Sequence, residues 1–350
     1  MSCRIFKGFL IALAMMPFAE YCKCNEPADP SDVPQNSPVA FAVSSAEISK
    51  SATRIAEAVA INTPKEKKGE RPDGGSRSMT VIECGCVIND TDDAGVVPGE
   101  FISVLKKELE KNGKIKVRTQ DKTRYKAIGG EASDDSCRPP DFLLIPRVSQ
   151  MPGIRGKENL LVRSFSAAVI NAEGSIVGSY TTKIDIPIKT RIPATVANFY
   201  EYQKAVGSFL FALLENSEVN SFVKNYRGNS RNGESRPVIK FGKVKNGTCD
   251  PNFAERELLW LIQDALLQVN KFRISAYEGA MRTPGVLVFR NAEGNPVVPF
   301  AASDLVLKVW VDERKNNNTI TRAYSFVLAD VKNGQTVMQF TKQLGYRSAK

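Results

Sequence analysis

An internal repeat constrains this chain more than any other feature. Residues 79–93 read MTVIECGCVINDTDD and residues 236–250 read RPVIKFGKVKNGTCD. At an offset of 157 residues Val81, Ile82, Gly85, Val87, Asn89, Thr91 and Asp93 match Val238, Ile239, Gly242, Val244, Asn246, Thr248 and Asp250. The register runs without a gap to Val117 opposite Ile274, and ten of the thirty-seven aligned pairs are identical. Chance would leave roughly two, so a whole folding unit recurs. The 350 residues are enough for each half to bury its own core.

Both halves read the same way. Residues 81–88 and 238–245 are β-branched runs of strand length. Asn89 and Thr91, and again Asn246 and Thr248, follow as structural turn residues, because short polar side chains there accept nearby backbone N–H groups. Helices come next, with Phe101, Val104, Leu105, Glu108 and Leu109 spaced three and four apart, matched by Leu258, Leu261, Ile262, Ala265 and Leu266. Asn112-Gly113 ends the first helix and Asn270 stands at the matching end of the second. Short strands at 114–117 and 271–274 leave them. Residues 141–145 and 304–308 are the next strand pair. After these, 164–170 and 323–329 turn through Gly174 and Gly334 into 175–183 and 335–343, forming β-hairpins. A helix precedes each unit, at 44–61 (Ile48, Ala52, Ile55 and Val59 on one side) and at 198–216. This order predicts an α+β class, with two tandem domains at 40–193 and 194–350. Each is a mixed sheet with helices packed on one face. Polar Gly-bearing insertions occupy 65–78 and 227–235.

The amino terminus has a different composition. Arg4 and Lys7 precede an uncharged apolar run at 8–19 that is too short to span a bilayer, so 1–19 reads as a secretory signal peptide. Residues 20–39 are rich in Pro, Asp and Ser and form a flexible tether. Cys22 is the candidate lipidation site, although Tyr21 stands where a lipobox wants a small residue. The expected location is the periplasm, with outer-membrane anchoring if Cys22 carries lipid. Cys84 and Cys86 lack the second ligand pair that a zinc site wants. Cys84 aligns with Phe241, which predicts a buried apolar role. Sequence does not assign a pairing to Cys137 or Cys249.

The chain contains no histidine, which removes Ser-His-Asp and Cys-His machinery and the usual neutral-pH proton shuttle. It has no Gly-rich phosphate loop. Asp90, Asp92 and Asp93 cluster beside Thr91, but the second half has Gly247, Cys249 and Asp250 there, so turn capping is the expectation for them. The chain is therefore expected to have no catalytic activity, cofactor or metal. Its formal charge of +10 points to anionic partners such as wall polymer, lipid head groups or an acidic protein surface, and not to nucleic acid.

Certain residues in order carry a resemblance. In the second half they are Arg236-Pro-Val-Ile239, Asn246-Gly-Thr248, Lys271-Phe-Arg-Ile274, Asp304-Leu-Val-Leu307, Tyr324 to Leu328, and Gly334. In the first they are Val81-Ile82, Asn89-Asp-Thr91, Lys114 to Val117, Asp141-Phe-Leu-Leu144 and Gly174. This order resembles the LpoB-type peptidoglycan-synthase activator family, which is similar in fold to the TolB amino-terminal domain and to the curli-secretion protein CsgG. The resemblance implies an exported adaptor that binds a penicillin-binding synthase. Peptidoglycan contact is a further expectation from the chain's charge, and membrane contact is expected only through a lipid anchor. Family members hold one such domain where this chain has two, and no partner-contact residue is carried over. The alternative is a curli-secretion-like structural component of the outer membrane. That role would require nine to eleven alternating lipid-facing residues per strand, and no such strands stand out.

Overall fold

Runs of alternating apolar residues become strands, and the three-and-four spacing becomes helices, in a computed structural model. The structure describes residues 45–62, 79–85, 87–91, 98–111, 113–119, 140–171, 174–193, 195–226, 236–251, 253–275, 289–290, 296–297, 303–316 and 319–347. These lie within one compact unit, Ala40–Lys350. The segments read in the sequence as signal peptide and tether, with Cys22, and also Cys86, Cys137, Asp92, Asp93 and the polar insertions, fall outside the described residues. The first lobe runs α1 (Ser45–Asn62), β1 (Thr80–Cys84), β2 (Ile88–Asp90), α2 (Pro98–Glu110), β3 (Ile115–Thr119), β4 (Phe142–Arg155), β5 (Glu158–Asn171) and β6 (Ser175–Pro187). The second runs α3 (Phe199–Glu215), α4 (Ser217–Asn225), β7 (Val238–Gly247), α5 (Glu255–Gln268), β8 (Arg273–Ser275), a small ribbon of β9 (Phe289–Arg290) and β10 (Pro296–Val297), then β11 (Leu305–Asn316), β12 (Thr319–Asp330) and β13 (Thr336–Arg347).

Strand order is β3-β1-β4-β5-β6 in the first lobe and β8-β7-β11-β12-β13 in the second. In each, the second strand lies parallel to both neighbours and the last three form antiparallel hairpins. Small details match as well. The Asp141 and Asp304 carboxylates accept the Val81 and Val238 N–H groups, both at 2.8 Å. A register shift falls between Val169 and Ile170 in one lobe and between Leu328 and Ala329 in the other. Gly113 (φ +65°) and Asn270 (φ +53°) leave their helices in the left-handed region, which suits Gly and is tolerated by Asn.

The lobes share one sheet. Strands β6 and β8 pair antiparallel through Ser175↔Ser275 and Ile176↔Ile274, so the order continues across the junction. Helices α1 and α2 cover one face of the first lobe, placing Ala52, Ile55, Phe101 and Leu105 on Leu144, Val148 and Phe165. In the second lobe α3 and α5 set Tyr202, Phe209, Leu258 and Ile262 against Leu305, Leu307, Tyr324 and Phe326. That same core reaches Leu143, Ile145, Val162 and Ile170 on the other face of the first lobe. Helices on one face therefore describe the second lobe alone. The first lobe's strands are covered on both sides, so β4 begins with eight consecutive buried residues while β11 and β12 alternate.

Two local differences have simple causes. The strand expected over 81–88 breaks at Gly85, whose N–H donates to Leu144 O at 2.9 Å, before β2 resumes beside β4. In the second lobe β7 stays continuous and the irregularity becomes a register shift between Leu307 and Val309. Helix α4 stands where the sequence pattern marks no separate helix. Asn216 ends α3 and its side chain caps α4, accepting Val219 N–H at 2.9 Å.

Candidate functional site

The lobes meet at the amino-terminal end of α5, and a cleft of about 1030 Å³ opens there. Asp90, Arg147, Lys243, Phe253, Arg256 and Leu259 are among its lining residues. Arg147 on β4 is almost fully buried, and three interactions hold it. Its Nε donates to Asp90 Oδ2 at 2.8 Å, Nη1 lies 2.8 Å from Glu257 Oε2 as an ion contact without hydrogen-bond alignment, and its guanidinium stands 5.4 Å from the Trp260 ring centre. Asp90 also accepts from Arg256 Nη1 at 2.6 Å. Two arginines and two carboxylates thus alternate across the junction. Glu255 and Glu257 in the first turn of α5 also sit favourably at the positive end of that helix.

Deeper in the junction Asp264 of α5 accepts hydrogen bonds from the Ser179 and Thr181 hydroxyls of β6, and Gln263 Nε2 donates to Ser179 Oγ at 3.0 Å. Burial pushes the Asp264 carboxyl up to about 6. The two hydroxyl donors and Arg147 pull it back, while Glu257 adds to the rise. Asp264 therefore holds its proton into the mildly acidic range, and the group that bridges the lobes changes charge there.

A second buried charge cluster lies inside the second lobe. Arg322 donates to Glu201 Oε2 (2.9 Å), Glu313 Oε2 (2.8 Å) and the Thr195 carbonyl, and the Tyr324 hydroxyl donates to Glu201 Oε1 at 2.7 Å. Burial raises the Glu201 carboxyl, opposed chiefly by Arg322. The first lobe has its own version: Arg163, also buried, donates to Gln150 Oε1 at 2.9 Å from the neighbouring strand.

The turn residues occupy equivalent places. Asn89 Oδ1 accepts from Thr91 N (3.1 Å) and Oγ1 (2.7 Å), and Asn246 Oδ1 accepts from Thr248 N (2.9 Å) and Oγ1 (2.7 Å). They sit at strand ends near the cleft and line none of it. Asp90 departs from the capping role expected of it, since Arg147 and Arg256 hold its carboxylate. Asp250 does serve the chain entering α3, accepting Ala197 N–H at 2.8 Å. Cys84 is buried in the first-lobe core and Phe241 in the second. Sequence reasoning did not single out Arg147, Ser179, Glu257 or Asp264. The available signal was α5 itself, which is apolar around more of its circumference than a helix with one covered face requires. Among the described residues no helix is long and apolar enough to cross a membrane.

No protein-family model matches the chain, and no curated protein matches it. Among solved structures it is similar to the LpoB C-terminal domain from Salmonella enterica, at 15% identity over 41% of this chain and 98% of that one, with a TM-score of 0.25. The LpoB C-terminal domain from Escherichia coli aligns at 13% identity over 39% and 98%, with a TM-score of 0.26. Lipoprotein GNA1162 from Neisseria meningitidis aligns at 14% over 42% and 99%, with a TM-score of 0.22. Scores this low transfer no role, partner or residue to this chain.

Proposed function

We propose that this chain is an exported, non-catalytic binding protein of the bacterial envelope that docks on a peptidoglycan synthase and tunes its activity. The observation carrying this reading is the ordered motif set from Arg236 to Gly334, present in outline from Val81 to Gly174, that resembles the synthase activators. Three further features support it. The amino terminus has the pattern of an export signal, the chain contains no histidine, and its +10 charge favours an anionic partner surface. The charged groups of the lobe junction and of the second lobe's core also support a binding role: Asp90, Glu257, Asp264, Glu201 and Glu313 are each held by an arginine or by hydroxyls of the same chain. On this reading the protein sits in the periplasm, tethered to the outer membrane if Cys22 carries lipid. Adding the purified mature chain to a purified bifunctional penicillin-binding synthase with its lipid-linked substrate tests it. A several-fold rise in glycan polymerisation with saturable binding is expected; an unchanged rate and no co-sedimentation would overturn the proposal.

A further inference from the structure

One sheet face in each lobe can be compared row by row. In the first lobe, strand pairing aligns Arg147–Ser166–Thr181 and Ile145–Ala168–Ser179. Helix α5 docks on this face, placing Asp264 on Ser179 and Thr181 and Glu257 on Arg147. In the second lobe the same rows read Trp310–Ser325–Thr341 and Lys308–Val327–Gln339. The hydroxyl pair is retained, with Ser166···Thr181 and Ser325···Thr341 both at 2.9 Å. Here, however, Lys308, Asp312, Gln339, Thr341 and Gln343 are all exposed, while their alternate neighbours on β11 pack into the core. Lys245 of β7 stands beside Trp310 and is exposed too.

We propose that this open face of the second lobe docks an acidic α-helix of a partner protein, in the manner in which α5 docks on the first lobe. The inference deepens the function proposed above and rests on its reading of the chain as a protein-binding module. Charge selects the helix's character, because exposed Lys245, Lys308 and Arg314 face a single exposed carboxylate, Asp312, on these strands. A carboxylate arriving over Thr341 meets hydroxyl and amide donors where Asp264 meets Ser179 and Thr181. Trp310 sits at the centre of the rows, partly exposed, between Ser325 of β12 and Lys245 of β7, and one row on Asp312 lies between the small Ala323 and Gly247. A central aromatic group ringed by smaller polar ones is the usual anchor of a protein contact. Lys308 and Asp312 replace Ile145 and Ser149 of the docked face, which suits a partner that must also leave.

Trp310 and the nearly fully buried Trp260 are the chain's two tryptophans, so emission reports the face directly. The full chain would be titrated with four probes: an amphipathic helical peptide carrying carboxylates along its polar edge, the same peptide with lysines there, phosphatidylglycerol vesicles, and polygalacturonate. A saturable blue shift with the acidic peptide alone is expected, lost in Trp310→Phe and weakened about tenfold in Lys245→Glu/Lys308→Glu with unchanged circular dichroism. An equal response to the lysine peptide, a response to vesicles or polysaccharide only, or none at all would overturn it. A synthase still activated by the double variant strikes the face and leaves the function standing. Peptide binding that never alters a synthase does the reverse.

Discussion

Replacing Asp264 by Asn separates the role of its charge from the role of its shape. The carboxyl is fully buried between α5 and β6, accepts from Ser179 and Thr181, and titrates near 6 against 3.8 for an unperturbed aspartate. Between those two values the native state holds a proton that the unfolded chain has released. Stability tied to this group is thus complete below about pH 4 and declines as pH rises through about 6. Over that window the decline amounts to about 3 kcal/mol. Asn offers one acceptor and one donor to the same two hydroxyls, and it stays neutral at every pH. Urea unfolding of both proteins at pH 3.5, 6 and 8 should give nearly equal midpoints at the lowest value. The variant should lead progressively above it, by about 1–3 kcal/mol at pH 8. Glu201 titrates in the same direction in both proteins and cancels in the difference. A variant less stable than the parent at pH 8, or a gap that does not change with pH, would refute the reasoning. It would mean that the ionised carboxylate, with its two donors and the nearby Arg147, is a net source of lobe–lobe stability.

Arg322→Met removes the cation shared by Glu201 and Glu313 and leaves two carboxylates in the core without it, which should destabilise the chain by about 3–5 kcal/mol in thermal or urea unfolding. A loss under 1 kcal/mol would show that the cluster is hydrated and not sealed. Two glycines make a matched pair with opposite expected signs. A Cβ on Gly153 would lie 2.6 Å from Val162 Cγ2 and 3.1 Å from Tyr200 Cε2, so Gly153→Ala should cost about 1–3 kcal/mol and loosen the contact between α3 and the β4–β5 hairpin. A Cβ on Gly207, mid-helix in α3, meets nothing within 4 Å, so Gly207→Ala should stabilise by about 0.5–1 kcal/mol. Equal effects of the two substitutions in parallel denaturant melts would refute this contrast.

The elements of each half were legible because their signals are local. Asn198 and Asn216 bracket α3 and cap the helices that follow them, Gly174 and Gly334 turn the hairpins, and Asn-x-Thr closes on itself at Thr91 and at Thr248. What stayed hidden is how the halves join, because those contacts cross long stretches of chain. Ser179 and Asp264 are 85 residues apart, and Asp90 and Arg256 are 166 apart. No periodicity in either segment reports the other.

The differences between the repeats carry the missing information. Where α5 has Leu259, Trp260, Gln263 and Asp264, the aligned positions of α2 are Ile102, Ser103, Lys106 and Lys107. A helix covered on one side can afford lysines on the other; one wedged between two sheets cannot, and Trp260, Gln263 and Asp264 are all buried. The strands run the opposite way. Ile145 and Ser149, which lie on the face under the second lobe's helices, become exposed Lys308 and Asp312 in the second lobe. Shared residues thus specify the unit, and substituted ones specify which faces are closed and which stay open. The face on which Trp310 replaces Arg147 is the one where the chain has changed apolar cover for charge while keeping, in Ser325–Thr341, the counterpart of the Ser166–Thr181 pair whose Thr181 receives the Asp264 carboxylate next door.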